Sequence, residues 1–563
     1  MIYQELHYER LDVEKSKNLL NDIITDFKEA GSASKQIDAI KKVDSFSRDY
    51  MTYQAMASLN FSRDINDADA KIEKDYYDSI STDMREVYDQ FDKVLHESKF
   101  KDEIIKEYGQ TFLDEIEINL KTFDPKIKDL LKQEIDLKNE YTKLTAGAKI
   151  SYEGKEYNLA GLGPFHSDVN RSIRKKSYEA RYGWFKDNEN ELDDIYDKLV
   201  KLRHKIATTL GYDNFIELGY YRMGRSDYGP EEVANFRRQI VDHVVPIVTK
   251  LHEQKKEILG LDELYFYDGI NFKDGDPKPK GTPDELVKSA QEMYHELSPE
   301  TGEFFDTMVN EELMDLVNRD GKRPGGFCTS FPKYDRPYIF SNFNGTDHDI
   351  TVLTHEAGHA FQNYSSTHLP LVNYHWPTME AAEIHSMSME FFTWPWMKKF
   401  FKEDTEKFKY KHIFGSLSFL PYGACVDHFQ HWVYENPEAS PKERKDKWLE
   451  LESIYMPYRS YDEMVFIKDG GVWQGQLHIY QMPFYYIDYT LAQTCAFQFW
   501  IKNEKDSGSA WKDYLTLCRA GGSLSFVNLV KLAKLNSPFE DGCLEDVVKY
   551  VEKWLEDFDI KNM

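Results

Sequence analysis

The residues with the clearest chemical potential lie in the run TDHDITVLTHEAGHAFQNYSS, where His355 and His359 stand four positions apart and Glu356 follows the first. On an α-helix that spacing stacks both imidazoles on one face, about one turn apart, within reach of a single cation. Glu356 then projects beside that point rather than onto it, which is where a general base for a metal-activated water has to be. Gly358 has no side chain, so another segment can approach the same point closely. The spacing predicts metal-assisted hydrolysis.

Two histidines do not complete such a centre; a third protein ligand is required, with a further position left open. A third histidine six residues after His359 would supply it in metzincins, but Ser365 stands there, which excludes that route. The following run, PTMEAAEIHSMSMEFFTW, starts a helix at Pro377 and places Glu380, Glu383 and Glu390 on one face. Among Ala381, Ala382, Met387, Met389 and Phe391, a stripe of carboxylates needs a cation or strong donors. All three remain candidates at the level of spacing.

Other chemistry-bearing residues carry less. His428 and His431 are three apart but have no third ligand near them, so packed, hydrogen-bonded helix histidines are expected. His385 is turned away from Glu383 and is read as a structural hydrogen-bonding group. Gly325-Gly326, Gly470-Gly471 and Gly521-Gly522 lack the context of phosphate loops. The five cysteines are scattered and form no CxxC pair, which argues against a disulfide scaffold and a thiolate zinc site. A net charge of −27 repels nucleic acid and anionic lipid. The charged N-terminal run and the absence of a long apolar stretch predict a cytoplasmic protein with no membrane segment.

The elements that must position these residues are mostly helical. From about Asp12 to Tyr141 the apolar residues recur at three and four. KISYEGKEYNL reads as a small hairpin about a Glu-Gly turn. Helices return around SIRKKSYEARYGWF, and Gly211 sits at a helix C-terminus. The stretch from Tyr265 to Thr282 reads as loops around short strands, and helices resume to about Asn318. CTSF and PYIFSNF are strand candidates; Tyr338 to Phe343 could offer an edge to the backbone of a bound peptide. From Thr346 the pattern is helical, with Thr346 and Asp347 as N-caps of the histidine helix.

Taken together, HEAGHAFQ, PTMEAAEIHSMSMEFF and the later run HIYQMPFYYIDYTLAQ resemble the M3 family of zinc oligopeptidases, in its oligoendopeptidase F-like branch, and are similar to bacterial Pz-peptidases. The similarity runs from about Ser167 to Leu555, while the N-terminal helices match only in character. The resemblance implies one Zn2+ per chain held by His355, His359 and Glu383, with Glu356 as base and Glu390 behind the ligand. It implies that His478, Tyr486 and Tyr489 face the metal and steady the oxyanion. Tyr485 stays a candidate beside them, because the spacing from His478 to Tyr486 is one residue shorter than in the mammalian branch. Gly470 and Gly471 are placed in a glycine loop that closes over substrate.

The fold expected is mainly α, with a small sheet beside the zinc helix. The resemblance further implies a two-lobed, neurolysin-like architecture around a deep channel, with residues 1–165 as a helical lid and 166–563 as the catalytic region. The function expected is hydrolysis of short unstructured peptides by a zinc metallo-endopeptidase. A helical peptide-binding protein with structural zinc and a zinc aminopeptidase are the alternatives. No nucleic-acid or membrane partner is expected.

Overall fold

The computed structural model describes residues 2–558. The N-terminal third is built of amphipathic helices: α1 (Val13–Glu29), α2 (Ala33–Arg63), α3 (Ala68–His96), α4 (Lys101–Tyr108), α5 (Gln110–Thr122) and α6 (Lys128–Ala146). The pattern around EIIKEYGQTFLDEIEINL is divided by Gly109, whose φ of +92° separates α4 from α5. The hairpin forms as read: β1 (Ile150–Tyr152) pairs antiparallel with β2 (Lys155–Tyr157), and both turn residues, Glu153 and Gly154, have positive φ. Helices α7 (Arg171–Asp187), α8 (Glu189–Leu210) and α9 (Phe215–Arg222) follow, with Gly211 left-handed at the end of α8.

The stretch from Tyr265 to Thr282 contains no strand, contrary to expectation. Its backbone is held by side chains and distant carbonyls instead: Tyr265 N–H donates to Asp268, Asn271 N–H to Asp276 and Phe266 N–H to the Ser460 carbonyl, while Arg171 and Arg174 hold the Asp268 carboxylate. Nor does the helical pattern persist to Asn318. Glu312 turns the chain at φ +54°, and β3 (Met314–Val317) pairs parallel with a strand beyond it. That strand is β5 (Arg336–Phe343), which also pairs antiparallel with β4 (Phe327–Phe331), giving the order β3-β5-β4. Both sides of β5 are therefore filled, and the free edges belong to β3 and β4. A parallel neighbour brought in by a long connection has no local signature, so the sequence offers the strand nearest the motif as an edge.

The sheet lies against α10 (His348–Ser366), the helix that carries the histidine motif. Its neighbours are α11 (Met379–Phe392), α12 (Thr405–Glu435), α13 (Pro441–Tyr455) and α14 (Tyr486–Lys505). One continuous apolar core runs from Tyr3 to Leu555, so the N-terminal helices and the motif-bearing helices share a single interior. Among the described residues no helix is long and apolar enough to cross a membrane.

Candidate metal centre

The start of α10 is held differently from the reading by caps. Asp347 makes no capping bond and pairs with Lys411. Asp349, the second residue of the helix, reaches back to accept from the N–H groups of Asn344 and Gly345. Gly358 does what its lack of a side chain allows. A Cβ there would lie 2.6 Å from Ser386 Cα and 2.7 Å from the His385 carbonyl, so only glycine lets α10 and α11 touch at this level.

That contact brings the three candidate ligands together. His355 Nε2 lies 3.3 Å and His359 Nε2 3.5 Å from the same oxygen of Glu383. The three ligand atoms all fall within 4.8 Å of one another, and no other such set of three occurs among the described residues. The donor set suits zinc: two imidazole nitrogens and one carboxylate, with room for a further ligand. Burial opposes ionisation of Glu383, but His359 and His355 outweigh it and hold its carboxyl well below the usual range. Glu356 is 6% exposed, and its Oε2 is buried with no protein partner, as a base awaiting a water would be. Burial pushes its carboxyl up, and the two imidazoles draw it partly back.

The other two glutamates of the stripe are separated by their partners. Glu380 is fully buried one turn away and accepts from the Tyr228 hydroxyl at 3.0 Å. Glu390 instead stands behind the first histidine: Oε1 is 2.7 Å from His355 Nδ1, and Oε2 is 2.6 Å from His412 Nε2. Trp394 Nε1–H donates to His412 Nδ1, so the proton of His412 sits on Nε2 and points at Glu390. By the same logic His355 gives its Nδ1–H to Glu390 and turns Nε2 toward the ligand cluster. Burial opposes the charge on Glu390, but its bonds to His355 and His412 hold it down to about 2. His412 was not found from sequence; it lies on α12 with no spacing that ties it to the motif.

The late aromatic run converges on the same point. Tyr485 donates to Glu383 Oε1 at 3.0 Å, so its hydroxyl holds the oxygen not shared with the histidines. Tyr489 packs 4.8 Å from the Tyr485 ring, and its hydroxyl is pushed up by burial and then by the charge of Glu383. Tyr486 packs against Phe419 and Tyr422. The ring of His478 lies 5.3–6.0 Å from all three tyrosines. Tyr422 donates to Gln476 Oε1, which turns the Gln476 amide to donate to His478 Nδ1 and leaves Nε2–H of His478 free. Burial lowers the pKa of His478, keeping it a neutral donor.

Two cavities meet α11 at opposite ends. One of about 1340 Å³ is lined by Met387, Glu390, His478, Tyr486 and Tyr489. The other, about 700 Å³, is lined by Met379 and Trp376 and, from the N-terminal helices, by Arg85, Glu115 and Lys138. Glu383 lies between them. Gly470 and Gly471 line neither. Both are buried, and a Cβ would lie 2.4 Å from the Lys445 carbonyl at Gly470 and 2.6 Å from the Phe466 ring at Gly471. Close packing against α13 and Phe466 accounts for these two glycines. Gly326, by contrast, enters β4 beside Glu356, with a Cβ position 3.5 Å from Glu356 Oε1. His385 Nδ1–H donates to the Ala381 carbonyl, His431 meets Tyr220 and His428 meets Tyr455, each a structural bond.

Fold and site together define a class: a mainly helical protein in which an HExxH helix and a glutamate from a second helix converge on one ligand point. Comparison with known proteins places it within that class. Residues 165–548 match the profile of peptidase family M3, and residues 3–123 match the peptidase M3 N-terminal domain. The chain belongs to peptidase family M3. It superposes on Pz peptidase A, solved with an inhibitor, with a TM-score of 0.95 and 48% identity over 99% of each chain. It is 25% identical over 377 residues to an oligoendopeptidase F homolog of Borreliella burgdorferi, covering 64% of this chain and 61% of that one. To the chromosomal oligoendopeptidase F of Lactococcus lactis subsp. cremoris it is 23% identical, covering 75% of this chain and 69% of the other.

Proposed function

We propose that the chain is a zinc metallo-endopeptidase that hydrolyses short, unstructured peptides. The observation that carries this reading is the convergence of His355, His359 and Glu383 beside a buried Glu356 whose Oε2 has no protein partner. Family membership and the likeness to Pz peptidase A and to the oligoendopeptidases F support it.

His355, His359 and Glu383 would hold the zinc, which when bound polarises the scissile carbonyl and an attacking water. Glu356 takes the proton of that water and passes it to the leaving amine. Tyr489 and His478 Nε2–H are the neutral donors available to the developing oxyanion, with Tyr486 on the wall beside them. Tyr485 holds Glu383 from behind through its hydroxyl. The free edge of β4, next to Glu356, offers backbone groups to an extended peptide.

Substrate would cross from one cavity to the other past Glu383. Residues 1–165 contribute helices to the wall of the smaller cavity, in keeping with a lid over the 166–563 region and a channel that admits peptides and excludes folded domains. The test is a digest of a mixed peptide library by zinc-loaded protein, with and without chelator, read by mass spectrometry. Internal cleavage, also in peptides blocked at both ends and abolished by chelator, is expected. Removal of N-terminal residues alone, or binding without cleavage, would contradict the reading.

A further inference from the structure

Helix α14 carries Tyr486 and Tyr489, and Tyr485 stands at its head; α11 carries Glu383. Their relative placement decides whether the Tyr485 hydroxyl reaches the metal ligand. A single buried guanidinium sits where the two helices are joined. Arg225 Nη2 donates to the Phe484 carbonyl at 2.5 Å and to Asp488 Oδ1 at 2.6 Å, and both charged side chains are fully buried. Its Cζ lies 4.3 Å from the centroid of the Tyr220 ring and 5.4 Å from that of Tyr228. Tyr228 in turn donates to Glu380, one turn before Glu383 on α11.

Phe484 is the unusual link. It has a φ of +67°, a conformation that a bulky residue adopts only when its surroundings enforce it. Both of its backbone groups are held: its N–H donates to Gln430 Oε1 at 3.1 Å, and its carbonyl accepts from Arg225. Its ring fills a slot that exists because Gly219 has no side chain; a Cβ there would lie 2.6 Å from the ring. The next residue is Tyr485, whose hydroxyl touches Glu383. Nothing in this assembly touches the ligand point directly, yet every bond in it bears on where Tyr485 stands.

We propose that Arg225 is a positioning residue of the metal centre: by clamping the left-handed Phe484 peptide to Asp488, it sets the Tyr485 hydroxyl against Glu383. The inference rests on the peptidase reading of that site. Arg225, the second arginine of the run YYRMGRSDYG, gives no sign of this role, because its partners come from α14 and, through Tyr228, from α11.

The test is a double-mutant cycle between Arg225→Met and Tyr485→Phe on the full-length, zinc-loaded protein, paired with absorption spectra after replacing zinc by Co2+. Each single variant is expected to keep one metal per chain and to lower kcat about 10- to 100-fold, the range for groups that orient a metal ligand, with KM within a few-fold of wild type. The double variant should be no slower than the slower single, because both remove the same contact. Both singles should shift the Co2+ spectrum in the same way. Multiplied losses, or a Co2+ spectrum of Arg225→Met identical to wild type, would overturn the proposal. If Arg225→Met does not fold, Gln430→Met releases the other end of the Phe484 peptide and is judged by the same cycle and spectra. If zinc-loaded wild type cuts no peptide, the peptidase reading fails, and the Co2+ spectra decide the positioning role by themselves.

Discussion

Glu390 Oε1 lies 2.7 Å from His355 Nδ1, with the other oxygen of the same carboxylate on His412. The pair fixes the tautomer of the first histidine and directs its remaining nitrogen to the ligand point. Glu390→Ala is therefore expected to weaken zinc binding about 10- to 100-fold. His412→Phe should act in the same direction but less, since Glu390 keeps its bond to His355. Competition with a chromogenic chelator measures both. Unchanged affinity in Glu390→Ala would remove the orienting role.

Glu380 and Glu383 are three residues apart on one buried helix, and their partners separate them. Glu383→Ala should abolish stoichiometric zinc. Glu380→Gln should retain it, because the amide can still accept from Tyr228 and carries no ligand oxygen to the cluster. Metal analysis of dialysed protein checks this, and the reverse pattern would reassign the third ligand.

Tyr486 and Tyr489 shared a candidacy in sequence that the structure divides. The charge of Glu383 bears on the Tyr489 hydroxyl, whereas the charge that bears on Tyr486 is that of Arg459. Tyr489→Phe should lower kcat about 10²-fold or more without loss of zinc, the size of effect seen when one oxyanion donor is removed. Tyr486→Phe should lower it less. Steady-state kinetics with equal zinc loading decides, and the opposite order would exchange the two roles.

Glu134 on α6 joins the N-terminal helices to α8 and α9 through a buried bond to Arg203 and a half-buried one to Arg222. Burial would raise its pKa, but Arg222 and Arg203 outweigh that and hold it down to about 2. A depressed carboxyl contributes stability that is full above its unfolded pKa and is lost as pH falls toward the folded one. The shift corresponds to about 3 kcal/mol. The difference in Tm between wild type and Glu134→Gln should thus be largest above about pH 5 and shrink toward pH 2. A difference that does not change with pH would contradict the ion-pair assignment.

Much of this site was legible because its first part is local. Four-residue spacing on one helix places His355 and His359 whatever surrounds them, and Gly358 announced the close approach that α11 makes. Glu383 was only partly legible: spacing left three glutamates open, and what separates them is the company of Tyr228, His355 and His412, drawn from distant helices. His412 and Arg225 had no signal, since neither lies at a helical spacing from any ligand. The edge strand was misread for a related reason. β5 precedes the motif helix in sequence, but β3 and β4 close both of its sides. Asp347 and Thr346 looked like caps, yet a salt bridge to Lys411 and the backward reach of Asp349 settled that helix end.

The central claim is that Glu356 is the base of a zinc-dependent peptide hydrolysis, and Glu356→Gln tests it most directly. The substitution preserves shape and removes the proton-accepting charge. On a peptide blocked at both ends, the zinc-loaded variant is expected to bind one zinc per chain and to lose about 10³-fold or more in kcat, in line with loss of general base catalysis. Turnover within a few-fold of wild type at full zinc loading would contradict the account.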